Sequence, residues 1–317
     1  MESIWGRRKW LNMYRKEALV GWLLISPWIA GCLIFFAVPF FRSIYFSLCE
    51  YDILSPPKYI GLTNFKNILY HDKLSFHAMR QTFIYTFANV PLTMVATLAL
   101  ALLLNNKLLK GLPFWRTCFY LPAVVPAVAT YQIWRLLLTR RGLLSSVIAF
   151  FGGERIEWLM NKYTVIPAFL IMNLFYVGGG ILLYLGALQG VPTHLYESAE
   201  IDGASSWKQF TKITLPMISP IVFFNLVTSI IGNLQVFGQA YVMTSGWQGT
   251  GDILWGAPGH TTYFFYLHLF KSAFIDYRFG YASALAWILF LVTLAFSALI
   301  FKSSAAWVFY VYTRKGR

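Results

Sequence analysis

Six stretches of the chain are each long and apolar enough to cross a bilayer: 19–48, 79–104, 114–138, 165–188, 218–243 and 279–301. A spanning helix needs roughly 20 mostly apolar residues, because the hydrocarbon core is about 30 Å thick. No water inside that core can satisfy a peptide N–H or C=O, so such segments bond internally as helices. Only 12% of the 317 residues are charged, and the mean hydropathy is +0.58; a soluble domain carries about 25% charged residues. The pattern predicts an all-α integral membrane protein with six transmembrane helices. It reads as a single domain over 1–317: a basic N-terminus at 1–18, membrane helices over 19–304 that include a folded loop at 190–217, and a tail at 305–317.

The net charge of +14 sits beside the apolar segments, which points to anionic headgroups rather than nucleic acid. With six spans both termini share a side. That side holds Arg7, Arg8, Lys9, Arg15 and Lys16, then Lys107, Lys110 and Arg116, then Lys208 and Lys212, and finally Lys302, Arg314, Lys315 and Arg317. The bias predicts cytoplasmic termini and a cytoplasmic 190–217 loop. The first apolar stretch is too long for a signal-peptide core and reads as an uncleaved span. Cys32, Cys49 and Cys118 show neither a disulfide framework nor metal-ligand spacing.

No phosphate-binding G-x-x-x-x-G-K-[ST], H-E-x-x-H or G-x-S-x-G occurs, so no catalytic residue, metal site or cofactor is expected on this chain. His71, His77, His194, His260 and His268 are scattered and read as solvated loop residues, since a metal needs clustered ligands. Arg42 and Arg135 read as snorkelling or paired. No carboxylate lies mid-span, which counts against a proton- or ion-coupled stand-alone transporter.

Uncharged polar residues are concentrated in the fifth segment: Asn225, Ser229, Asn233, Gln235 and Gln239, with Tyr241 close by. A buried amide must be satisfied, and the 225–229–233 spacing puts three of them on one helical face. Two readings stay open. Amides with aromatics suit a sugar, and the same groups suit helix–helix adhesion. The fourth segment carries Asn173, Phe175, Tyr176 and Gly178-Gly179-Gly180. The glycines weaken the helix and admit close approach, as at substrate sites of broken helices; packing alone is the rival. Pro122 and Pro126 predict a kink in the third segment. The outer loop at 244–278 begins TSGWQGTGDILWGAPGHTT and reads as an irregular loop or cap.

Residues 196–220, YESAEIDGASSWKQFTKITLPMISP, read as helix, glycine turn, helix and proline stop. Gly203 predicts the elbow, Ser205 or Ser206 the cap of the second helix, Phe210 and Ile213 its inward face. Pro216 is its end and Pro220 the start of the fifth span. An acidic first half with Glu197, Glu200 and Asp202 suits an anionic lipid surface poorly and a protein partner better.

This loop resembles the EAA loop of ABC importer permease subunits: Glu197-Ser198-Ala199-Glu200-Ile201-Asp202-Gly203-Ala204, then Leu215-Pro216 and Pro220, with Ser198 departing from the usual alanine. SPPKYIGLTNFKNIL, FYLPAVVPAVA, YLGALQGVP, LQVFGQAYVMTSG and FGYASALAWILF extend the resemblance to the carbohydrate-uptake branch, the maltose and glycerol-phosphate permeases. The resemblance implies a type I ABC importer permease fold with a cytoplasmic coupling helix, in a bacterial or archaeal inner membrane. Implied partners are a second homologous permease, an ATPase dimer that binds ATP and Mg, an extracytoplasmic sugar-binding protein and a sugar. Glu197, Ala199, Asp202, Gly203, Ala204 and Pro216 would couple to the ATPase; Tyr176, Gly179, Asn233, Gln235 and Gln239 would line the substrate pathway. The alternatives are a stand-alone secondary transporter or channel, or an ABC permease for a non-sugar solute.

Overall fold

The computed structural model describes residues 2–106, 109–247 and 253–309. Lys107, the tail residues Arg314, Lys315 and Arg317, and the middle of the glycine/tryptophan loop at 248–252 lie outside them. Four helices are long and apolar enough to cross a membrane: Lys16–Ser47, Lys73–Asn105, Ser206–Leu234 and Phe279–Trp307. Val165–Phe175 and Gly178–Gln189, bent by 50° at their junction, make a fifth candidate if counted as one. Two further expected spans are not continuous. The 114–138 segment forms helices Leu112–Val124 and Ala127–Leu137. They part at Val125 and Pro126, whose ψ angles of 134° and 131° are extended; the clash a proline imposes on the residue before it pushes Val125 out of the helical region. The 218–243 segment ends as a helix at Leu234 and resumes in the short helix Gly238–Thr244.

Chain contacts divide the protein into two units. The first, Met1–Lys66 with Ser272–Trp287, is built on the N-terminal helices and a two-stranded antiparallel ribbon pairing Cys49 with Tyr59 and Glu50 with Lys58. Buried Asn64 donates from Nδ2 to Ser47 O at 3.0 Å and Cys49 O at 2.9 Å, satisfying the carbonyl that the helix end leaves open and tying it to the ribbon. Gly280 passes so close to the ribbon that a Cβ there would lie 2.0 Å from Cys49 O. In the exposed turn, Ser55 donates its N–H and O–H to Asp52 Oδ1 and holds that carboxyl below its usual pKa.

The second unit, Asn67–Lys271 with Ile288–Arg317, is organised around Lys73–Asn105. This helix packs against Val165–Phe175, Gly178–Gln189 and Leu215–Leu234. Ala101, Leu104, Ile181, Tyr184, Leu188 and Ile218 belong to one buried cluster, and Val90, Ile230 and Leu234 form another. Asp72 caps the helix by accepting the N–H groups of Leu74 and Ser75.

One device recurs. A wide π-helical turn stands just ahead of a proline at Leu33–Ala37, before Pro39, and again at Phe210–Thr214, before Pro216. Val38 N–H bonds Leu33 O and Leu215 N–H bonds Phe210 O, each five residues back. A proline cannot donate to the carbonyl four residues back and its ring crowds it; the wider turn absorbs both effects. Pro216 therefore does not end the second loop helix, as the sequence predicts. The chain runs helically from Ser206 to Leu234, and Pro220 lies inside that helix rather than at its start.

Candidate functional site

Two features of the second unit hold the candidate site residues. The first is the hairpin of helices Thr193–Ile201 and Ser206–Gln209. Gly203 has φ +71°. Its N–H bonds Glu200 O at 3.0 Å and Ala204 N–H bonds Ala199 O at 2.8 Å. Together these form the paired closure of a helix end on a left-handed residue. Ser205, not Ser206, is the cap of the next helix, accepting Lys208 N–H at 3.4 Å.

Glu197, Glu200, Asp202 and Gly203 are exposed; Ala199 and Ala204 are half-buried. Ile201 is 88% exposed and Trp207 73%, so the tip presents apolar side chains flanked by carboxylates. Behind it Ile213 packs on the buried cluster that holds Tyr184 and Ile218, and Tyr196 Oη bonds Thr214 Oγ1 at 2.9 Å. Pro216 is half-buried where the hairpin joins the membrane helix.

The second feature is a polar cavity of about 380 Å³, lined among others by Tyr85, Asn89, Tyr131, Asn173, Asn233 and Gln235. Phe237 and Gln239 also line it. A line of amide bonds runs beneath it. Asn173 Nδ2 donates to Tyr85 Oη at 2.5 Å and Asn89 Oδ1 at 3.0 Å; Asn89 Nδ2 donates to Asn233 Oδ1 at 2.7 Å. Asn233 Nδ2 donates to Ser229 O, and Ser229 Oγ to Asn225 Oδ1. Gln239, buried, donates to Tyr85 Oη. The face predicted for Asn225, Ser229 and Asn233 is real, and its amides both join helices and border an opening. A smaller cavity of about 160 Å³ follows, lined by Tyr176, Asn173, Gly180, Asn225 and Ser229.

Tyr176, Asn233, Gln235 and Gln239 thus border these cavities. Gly179 does not: it is exposed, lines neither cavity, and a Cβ on it would meet nothing within 4 Å. The close approaches belong to its neighbours. A Cβ on Gly178 would lie 2.0 Å from Phe119 O, and one on Gly180 would lie 2.9 Å from Thr97 Cγ2. The helix breaks at Tyr176 and Val177, one step ahead of the glycines.

Tyr85 and Asn89 escape the reading of the fifth segment, yet the sequence carries them. Tyr85, Asn89, Thr93 and Thr97 recur every fourth residue, the spacing of one helical face. The histidines need a correction too. His268 is buried rather than solvated, with Nε2 3.0 Å from Asp72 Oδ2 and Nδ1 3.0 Å from Tyr263 Oη. Folding brings it to the N-terminal cap of Lys73–Asn105, 196 positions away in sequence.

The chain is similar to known proteins in sequence and in fold. The family model described as "Binding-protein-dependent transport system inner membrane component" matches residues 79–308. The chain is 35% identical over 298 residues to "Probable ABC transporter permease protein YesP" of Bacillus subtilis (strain 168), covering 93% of this chain and 94% of that one. It is 30% identical over 288 residues to "Lactose transport system permease protein LacF" of Rhizobium radiobacter, covering 90% and 93%. It is 30% identical over 290 residues to "Trehalose/maltose transport system permease protein MalF" of Thermococcus litoralis, covering 90% and 94%. In fold it matches a bacterial ABC transporter involved in the import of the acidic polysaccharide alginate, with a TM-score of 0.78 at 23% identity over 94% of this chain and 98% of that one. A multi-pass apolar helical chain with a preformed hairpin between its helices, matched by that family model over most of its length, belongs to the binding-protein-dependent transport system inner membrane components.

Proposed function

We propose that the chain is one permease subunit of an ATP-driven sugar or oligosaccharide importer. The observation that carries this reading is the hairpin at 193–214: rigidly closed at Gly203, anchored by Tyr196 and Thr214, and tipped with exposed Ile201 and Trp207 between exposed carboxylates. Such a tip fits a cleft in a separate cytoplasmic ATPase. ATP and Mg would bind there, and this chain itself would carry no catalytic residue. Glu197, Ala199, Asp202, Gly203, Ala204 and Pro216 form or support that contact. Neutral amides and aromatics around the polar cavity suit hydroxylated sugar rings, and lactose and trehalose/maltose permeases stand among the relatives.

In this reading the broken pair Leu112–Val124 and Ala127–Leu137 crosses as a kinked span and the total is six. Both termini and the hairpin are cytoplasmic in an inner membrane. A second homologous permease completes the pathway, and an extracytoplasmic binding protein supplies the sugar. The test is reconstitution with the co-expressed ATPase, second permease and binding protein in lipid nanodiscs. The expected result is a stable complex whose ATP hydrolysis rises with binding protein and sugar, and in which Glu197→Lys lowers that rise. Sugar uptake by this chain alone, without ATPase, would establish a stand-alone transporter instead.

A further inference from the structure

The part of the glycine/tryptophan loop that the structure describes is a built cap. Gly256 N–H donates to Ser245 Oγ at 3.0 Å, Ala257 N–H to Thr244 O at 3.2 Å, and Thr262 Oγ1 to Ala257 O at 3.0 Å. Thr244 Oγ1 and Thr262 Oγ1 lie 2.7 Å apart. Gly256 has φ +64°, and a Cβ there would lie 2.4 Å from Tyr263 N, so only glycine fits. Trp255, His260, Pro258, Leu74, Met160 and Lys271 line a cavity of about 420 Å³ beside this cap, a size and mixture of walls that suit a small ligand.

A line of rings leads from this cavity to the polar one. Trp255 and Tyr241 have centroids 6.2 Å apart; Tyr241 and Phe237 are stacked at 5.2 Å. Phe237 lines the polar cavity. Phe270 packs on Phe237 at 4.8 Å and on Tyr241 at 5.3 Å and fixes their positions. His260 Nδ1 lies 3.1 Å from Trp255 O. A carbonyl only accepts, so Nδ1 donates in that bond, and in the neutral ring Nε2 is the acceptor for a hydroxyl.

We infer that the cavity beside Trp255 and His260 is a second sugar-ring subsite, joined by Tyr241 and Phe237 to the polar cavity, so that the permease engages an oligosaccharide at two points. This rests on the sugar-importer reading. Aromatic faces pack on the C–H faces of sugar rings while His260 accepts a hydroxyl proton, and a rigid cap holds both in place. A saccharide seated in the polar cavity touches Trp255 only when it also extends along Tyr241 and Phe237, so the contact is expected to grow with chain length.

The test compares uptake of a homologous oligosaccharide series, from disaccharide to hexasaccharide, by the complete reconstituted complex with its binding protein saturated. Trp255→Ala is expected to slow the longest member about five- to tenfold and the disaccharide less than twofold, and Trp255→Phe to restore most of the loss. In a background with Cys32, Cys49 and Cys118 replaced by serine, Leu74→Cys should be shielded from a maleimide by the hexasaccharide and not by the disaccharide. Equal slowing at every length, or no length-dependent shielding, would overturn the subsite and leave sugar import standing. A wild-type complex that hydrolyses ATP yet imports no saccharide would overturn the sugar reading along with it.

Discussion

Tyr196 Oη and Thr214 Oγ1 lie 2.9 Å apart, so the first arm of the exposed hairpin is bonded to the base of its second arm. Thr214 is buried in the last position of the π-helical turn, and the bond therefore links the exposed hairpin to the helix that borders the polar cavity. Tyr196→Phe removes one hydroxyl at a cost of about 1 kcal/mol. The expected outcome is normal complex yield with weaker sugar-stimulated ATP hydrolysis. Thr214→Val should do the same, and the double variant should be no worse than either single one, since both delete one interaction. Additive losses in the ATPase assay would show that the two hydroxyls act separately.

Gly203 tests the elbow through backbone strain alone. A Cβ there meets nothing within 4 Å, but φ is +71°, a conformation that costs an ordinary L-residue about 1–2 kcal/mol. Gly203→Val should strain or reshape the elbow and lower stimulated hydrolysis, while Gly203→Asn, which tolerates this region, should keep most of it. Equal activity of the two variants in reconstituted complex would remove the conformational argument.

The elbow was open to sequence reasoning because glycine before a Ser cap is local chemistry, complete within a few residues. The interrupted third segment was legible for the same reason, since Pro122 and Pro126 announce it. Pro216 misleads because what neutralises it, the wider turn at Phe210–Thr214, is a backbone choice with no residue signature. The amide line is half legible: Asn225, Ser229 and Asn233 show their spacing plainly. Tyr85, Asn89, Thr93 and Thr97 hide in a segment whose hydropathy is dominated by Leu and Ala. The bond from His268 to Asp72 spans 196 positions and could come only from the fold.

The glycine run separates packing from pathway. Gly178→Ala places a methyl 2.0 Å from Phe119 O, a backbone atom that cannot move aside cheaply. It should lower thermal stability and yield of the purified complex. Gly179→Ala faces open space and should leave yield, stability and uptake unchanged. A strong uptake defect in Gly179→Ala with normal stability would return that glycine to the substrate pathway.

The amides themselves divide between adhesion and substrate contact, and stability measured beside uptake tells the two apart. Asn89 accepts from Asn173 and donates to Asn233, so it joins three helices. Asn89→Ala leaves groups on both neighbours without their partner, at about 1–3 kcal/mol for each buried group left unsatisfied. Its expected signature is a lower melting temperature of the detergent-purified complex together with reduced uptake. Gln235 lies at the end of its helix, exposed to the polar cavity and outside the line of amide bonds. Gln235→Ala should leave the melting temperature unchanged and lower uptake, with a shifted preference among saccharides. Asn233→Ala should combine both effects, because its Oδ1 holds Asn89 while its side chain borders the cavity. If Gln235→Ala transports every saccharide like wild type, the amides around this cavity serve helix adhesion, and the substrate contact must be sought among Tyr85, Tyr131 and Phe237 instead.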